Sequence, residues 1–166
     1  MAELNCLITL EVKKLCRDIL KERFAVEFAD DNYRLAFMAM MKKVNAGEAG
    51  VSEMIVEELL VAWDDFVTDL NNGYEMSLYE FQYDLDSLRG PIDLLYSNVE
   101  LDEIEEHKKL KSVIKIIDDK FKQLTVEIID LPNRNAWWEW RILLKANSDY
   151  FDSLGIDLTR YKIIRT

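Results

Sequence analysis

Four carboxylates in this chain have a spacing that could do metal chemistry. Glu103 and Glu106 stand three residues apart, and Glu127 and Asp130 repeat the interval further on. Acids at i and i+3 share a helix face, and two such pairs on facing helices would offer the oxygen ligands that hard divalent cations take. Other reactive side chains are sparse. His107 is the single histidine, and Cys6 and Cys16 are the two cysteines. Cys16 with His107 is the one conceivable nucleophile–base pair, and nothing near either residue in the sequence supports it. His107 lies among charged residues and is expected to face solvent. The cysteines are expected as reduced core residues of a first helix, since no CxxC spacing suggests zinc. Glycine-rich phosphate loops, HExxH and GxSxG are all missing from the sequence.

The ExxE and ExxD pairs resemble the magnesium-binding carboxylates of all-α nucleotide pyrophosphohydrolases. The resemblance implies magnesium held by Glu103, Glu106, Glu127 and Asp130. A helical wheel counts against it. With Leu101 at zero, Glu103 and Glu106 project near ~200° and ~140°, but Glu127 and Asp130 near ~80° and ~20°. One straight helix cannot converge all four, although a break near the β-branched run from Thr125 would change their directions. The expected reading is therefore a protein without catalytic residues, metal or cofactor, with the hydrolase as the alternative.

Charge is the stronger signal. The chain has 166 residues and a net charge of −11, distributed very unevenly. Residues 1–47 carry 8 basic and 7 acidic groups, residues 48–106 carry Arg89 against 17 acids, and residues 107–166 carry 12 basic and 8 acidic groups. In the predicted helix from Ser52 to about Asn71, Glu53, Glu57, Glu58, Asp64, Asp65 and Asp69 fall within about 160° of arc. Ile55, Leu59, Leu60, Trp63, Phe66, Val67 and Leu70 fill the other side. Solvated faces usually mix signs, because like charges at i and i+4 repel. An unmixed acidic face instead creates a potential that speeds encounter with a cationic partner. Val61 and Met54 sit within that arc, and Tyr74, Tyr79 and Tyr83 follow in the next acidic stretch with Asp84 and Asp86. Apolar and tyrosine groups ringed by charge have the makeup of an interface centre.

These residues must be positioned by helices. Helical periodicity dominates, and seven glycines and prolines in total argue against a turn-rich β fold. Helices are predicted over Leu10–Phe24, after Asp30 and Asp31 with Leu35, Phe37, Met38, Met41 and Val44 as the apolar set, over Leu101–Leu124, and over Asn135–Leu154. Ser77 to Glu80 matches a capping box, so a helix is predicted there, closing at Gly90–Pro91. Tyr79, Phe81, Tyr83 and Leu85 also alternate with polar residues as a strand would. Trp137, Trp138, Trp140 and Arg141 could stack on a ligand, but with Ile142, Leu143 and Leu144 they read as a mostly buried helix. The fold class is all-α: one domain over residues 1–166, a bundle of about five to seven helices. A short strand or hairpin is allowed near residues 79–85 or at the C-terminus.

No apolar run approaches the ~20 residues that span a bilayer, and no basic leader precedes one, so a cytoplasmic location is expected. Direct nucleic-acid binding is disfavoured, since a net negative protein repels phosphate. The expected function is that of an acidic inhibitor module that binds a basic protein. Its concrete form is a bacterial immunity protein or antitoxin directed at a cationic toxin, in particular a nuclease. A phage-encoded inhibitor that mimics nucleic-acid charge is a variant. The expected binding residues are Glu53, Glu57, Glu58, Val61, Asp64, Asp65, Asp69, Tyr74, Tyr79, Tyr83, Asp84 and Asp86.

Overall fold

The computed structural model describes residues 2–28, 56–128 and 136–166. Among the described residues there are five α-helices: α1 (Ala2–Phe24), α2 (Val56–Leu70), α3 (Leu78–Tyr96), α4 (Glu105–Leu124) and α5 (Ser148–Ser153). Short strands β1 (Thr125–Glu127), β2 (Arg141–Leu143), β3 (Lys145–Ala146) and β4 (Ile164–Arg165) follow, with 3₁₀ turns at Val99–Leu101 and Trp137–Trp140. The architecture is the expected helical one with a small strand pairing. The helix predicted after Asp31 lies outside the described residues.

The chain divides into two compact units, Met1–Trp63 with Leu88–Lys115, and Asp64–Ser87 with Ile116–Thr166. In the first unit the helices bury apolar residues at helical spacing: Cys16 and Leu20 on α1, Val56, Leu59, Leu60 and Trp63 on α2, and Leu110, Val113 and Ile114 on α4. Each such side chain contributes about 1.5–3 kcal/mol when fully buried. Cys16 is a buried thiol in no disulfide among the described residues, as expected.

The second unit is organised around Phe81. Its ring stacks with Phe66 at 6.1 Å and meets Tyr74 and Tyr150 edge-on at 5.3 and 5.5 Å. Tyr150 also accepts a hydrogen bond from the Leu143 amide at 3.1 Å, which ties α5 to β2. β1 pairs antiparallel with β2, and β3 pairs in parallel with β4. Gly73, at φ +104°, turns the chain out of α2 so that Tyr74 can bridge Ala146 in parallel.

The helix predicted from the capping box forms, and two other expectations about the elements need correction. The stretch 79–85 is helical throughout, because the capping box forms: the Ser77 amide donates to Glu80 Oε2 at 2.8 Å and the Glu80 amide to Ser77 Oγ at 3.3 Å. That helix does not close at Gly90–Pro91; Pro91 lies inside it. An interior proline costs about 3 kcal/mol. Phe81, Leu85, Ile92 and Leu95 are all buried on one side of the continuous helix, and their burial outweighs that cost.

The predicted last helix is also replaced. The chain after the tryptophans makes a 3₁₀ turn and then β2, and α5 starts late, where the Asn147 side chain accepts from the Tyr150 amide. The cause is Arg141. Its guanidinium donates to the Lys122 and Thr125 carbonyls, both at 3.2 Å, and its Nε to Thr125 Oγ1 at 2.7 Å. Thr125 Oγ1 in turn donates to the Phe121 carbonyl at 2.8 Å. Arg141 thus satisfies the C-terminal carbonyls of α4 and complements its dipole, holding β2 against β1. Replacing Arg141 by Met should lower unfolding stability by about 1.5–3 kcal/mol, read as a shifted urea midpoint. No shift would mean that the strand pairing does not depend on this cap.

Candidate functional site

The acidic residues of α2 divide by what packs beside them. Glu57 is buried, at 7% exposure, and its Oε1 accepts from Arg17 Nε of α1 at 2.8 Å, within the first unit. Asp64 is buried, at 2% exposure, and its Oδ1 accepts from Lys120 Nζ of α4 at 2.8 Å, within the second unit. Both were expected on an outward face. They lie seven residues apart, on one edge of the helix, and each meets a cation from a neighbouring helix. A helical wheel gives direction about an axis; it does not show that two sides of the helix carry neighbours. Glu58 in the first unit and Asp65 and Asp69 in the second are exposed, and Val61 is half-buried. Glu53 lies outside the described residues.

The tyrosine stretch divides as well. Tyr74 packs edge-on against Phe66 and Phe81, and its hydroxyl donates to Asp84 Oδ2 at 2.9 Å. Burial first, then that hydrogen bond and the Asp84 charge, raise the Tyr74 hydroxyl well above the ordinary tyrosine value. Tyr74 and Asp84 therefore serve the core of the second unit and bind each other. Tyr79 and Tyr83 are different. They are 77% and 66% exposed, one helical turn apart on α3, and Asp86 is exposed three residues beyond Tyr83. Met76, just ahead of the Ser77 cap, is 51% exposed. It was not singled out from the sequence, although its position three residues before Tyr79 was visible there. Glu80, between the tyrosines, is held by the Ser77 amide and hydroxyl, which lower its carboxyl below the usual range.

The four carboxylates of the metal reading are not brought together among the described residues. Glu103 is exposed, while Glu106 is buried with its Oε1 3.5 Å from Lys109 Nζ, both in the first unit. Glu127 is on β1 in the second unit, 3.7 Å from Arg141. The break at Thr125 does occur, but it sends the chain into a strand. Asp130 lies outside the described residues. Among the described residues no group of three or more His, Cys, Asp or Glu could hold a metal ion. No helix among them is long and apolar enough to cross a membrane.

His107 is fully buried on α4, not solvent-facing. Its side falls beside Leu110 and Ile114, three and seven residues on, so the periodicity already contained that answer. Its Nε2 is 3.5 Å from Asp102 Oδ1, and Asp102 also pairs with Lys111. Tryptophans 137 and 140 are half-buried and Trp138 is buried. Compared with protein-family models, curated proteins and solved structures, the chain matches none.

Two outcomes test this arrangement. Burial, then the Lys111 charge, hold the His107 imidazole below its ordinary value, with Asp102 opposing. Between that lowered value and about 6.5, the unfolded chain binds a proton that the folded chain refuses, so stability falls as pH drops through this window. Urea midpoints measured downward from pH 7 should show the fall, and His107→Gln should flatten it; an identical slope in the variant would discount the buried imidazole. Separately, Lys120→Met removes the ammonium facing Asp64. It should destabilise by about 1.5–3 kcal/mol, whereas Asp69→Asn on the exposed side should change stability by less than about 0.5 kcal/mol. Similar effects of the two substitutions would contradict the division drawn on α2.

Proposed function

We propose that this chain is a protein-binding module that captures a basic protein. Its most concrete form is a bacterial immunity protein or antitoxin that neutralises a cationic toxin, in particular a nuclease, in the cytoplasm. A phage-encoded inhibitor of host defence working by charge mimicry would use the same surface chemistry.

One observation carries the reading. The exposed pair Tyr79 and Tyr83 lies in a segment, Asp64 to Ser87, that has seven carboxylates and no lysine or arginine. Aromatic side chains supply much of the energy of protein interfaces because they bury large area at little entropic cost. Soluble proteins tolerate single exposed aromatics, but a pair aligned on one helix face, with Met76 exposed just ahead of that helix, makes a small apolar patch. Asp65, Asp69 and Asp86 are exposed on the same unit, and with no basic residue in the segment we take the field around that patch to be negative. Such a field accelerates encounter with a basic protein and disfavours acidic ones. Toxic nucleases carry basic substrate-binding surfaces, and an acidic inhibitor can occupy or obstruct them.

The test uses the intact protein as bait in its native cells. Capture of a basic protein should occur at low ionic strength and weaken steeply with added salt. The double variant Asp65→Lys, Asp69→Lys should keep its helical circular dichroism and lose the captured protein. These positions are chosen because Asp64 is buried against Lys120, so reversing it would disturb the fold. Capture that survives both salt and charge reversal would remove electrostatics from the mechanism.

A further inference from the structure

Three other aromatic rings among the described residues, two half-buried and one buried, carry a cation from the chain itself. Lys122 Nζ sits 4.7 Å from the Trp137 ring centre, Arg165 sits 5.4 Å from that of Phe151, and Lys111 Nζ sits 5.3 Å from that of Tyr96. A cation above an aromatic face is attracted by the negative centre of the ring. Among the described residues, no cation of the chain covers Tyr79 or Tyr83, the two most exposed of the large hydrophobic and aromatic side chains except for Val99. Their own segment contains no basic residue that could do so.

We propose, building on the protein-binding reading above, that the Tyr79–Tyr83 face seats arginine side chains of a helical partner segment. Four residues of helix advance about 6 Å, so the two rings are one turn apart and match arginines at i and i+4 of a partner helix lying along α3. Each guanidinium stacks flat on a phenol ring, a geometry that an ammonium cannot reproduce. Charge selects this occupant. A second copy of this chain would bring the same all-acidic segment against this one, and the like charges would repel. Lysine would satisfy the field but leave the flat ring faces poorly used.

The test uses two alanine-based helical peptides of equal length and charge, one with arginines at i, i+4 and i+7, the other with lysines there. Fluorescence anisotropy at low ionic strength reads their affinity for the intact protein. The arginine peptide should bind about fivefold or more tighter than the lysine peptide. The double variant Tyr79→Ala, Tyr83→Ala should lose about tenfold in affinity for the arginine peptide and lose the preference. Tyr79→Phe, Tyr83→Phe should keep both, because the ring face remains. Equal binding of the two peptides, indifferent to Tyr→Ala but abolished by Asp65→Lys, Asp69→Lys, would overturn the arginine seat and leave acidic capture standing. Failure of both peptides to bind would count against the seat and the capture reading together.

Discussion

An acidic helix can pack against neighbours only if the carboxylates it turns toward them are matched, and α2 depends on that condition twice. Asp64 meets Lys120 in one unit and Glu57 meets Arg17 in the other. A buried carboxylate stripped of its counter-charge costs several kcal/mol, whereas an exposed ion pair contributes at most about 1 kcal/mol. The inward pairs therefore decide whether the helix can dock at all, and the outward acids have little bearing on stability. Selection acting on Glu58 and Asp69 is to that extent independent of the fold, and their common sign is open to explanation by binding.

The same separation runs through α3. Phe81 and Leu85 are buried, with Phe81 at the centre of an aromatic cluster that includes Tyr74 and Tyr150. Tyr79 and Tyr83, two residues to either side of Phe81, point away from that cluster and toward solvent. Tyrosines of similar sequence context thus have unlike roles. Tyr74 spends its hydroxyl on Asp84 within the unit. Tyr79 and Tyr83 leave ring and hydroxyl accessible, in a segment whose remaining charges are all negative. A surface of this kind gains from contact with guanidinium groups through both stacking and Coulomb attraction, while each alone would be modest.

Much of this was legible in the residues, and the exceptions have physical causes. The capping box at Ser77 and Glu80 settled helix against strand for residues 79–85, because it satisfies two amides that no strand start would pair in that way. Periodicity located the buried apolar residues of α2, whereas on α1 Leu15 is exposed and Lys13 is buried. What it could not contain was the identity of neighbours. Glu57 and Asp64 were placed correctly around the axis of α2 and wrongly in or out, since Arg17 and Lys120 lie 40 and 56 residues away in sequence. The tryptophan segment reads as a helix by composition, but long-range bonds from Arg141 to the end of α4 override local preference and draw it into a strand pairing. Pro91 shows the opposite case, in which burial on both sides of a breaker keeps a helix continuous.

The central claim is that Tyr79 and Tyr83 stand open to solvent within a negative field. Paramagnetic relaxation of their ring protons by two nitroxides of equal size, one cationic and one anionic, measures accessibility and local potential together. The expected result is strong relaxation at both rings, markedly greater with the cationic probe, while the buried ring of Tyr150 responds to neither. Equal relaxation by the two probes, or rings as protected as Tyr150, would contradict the account.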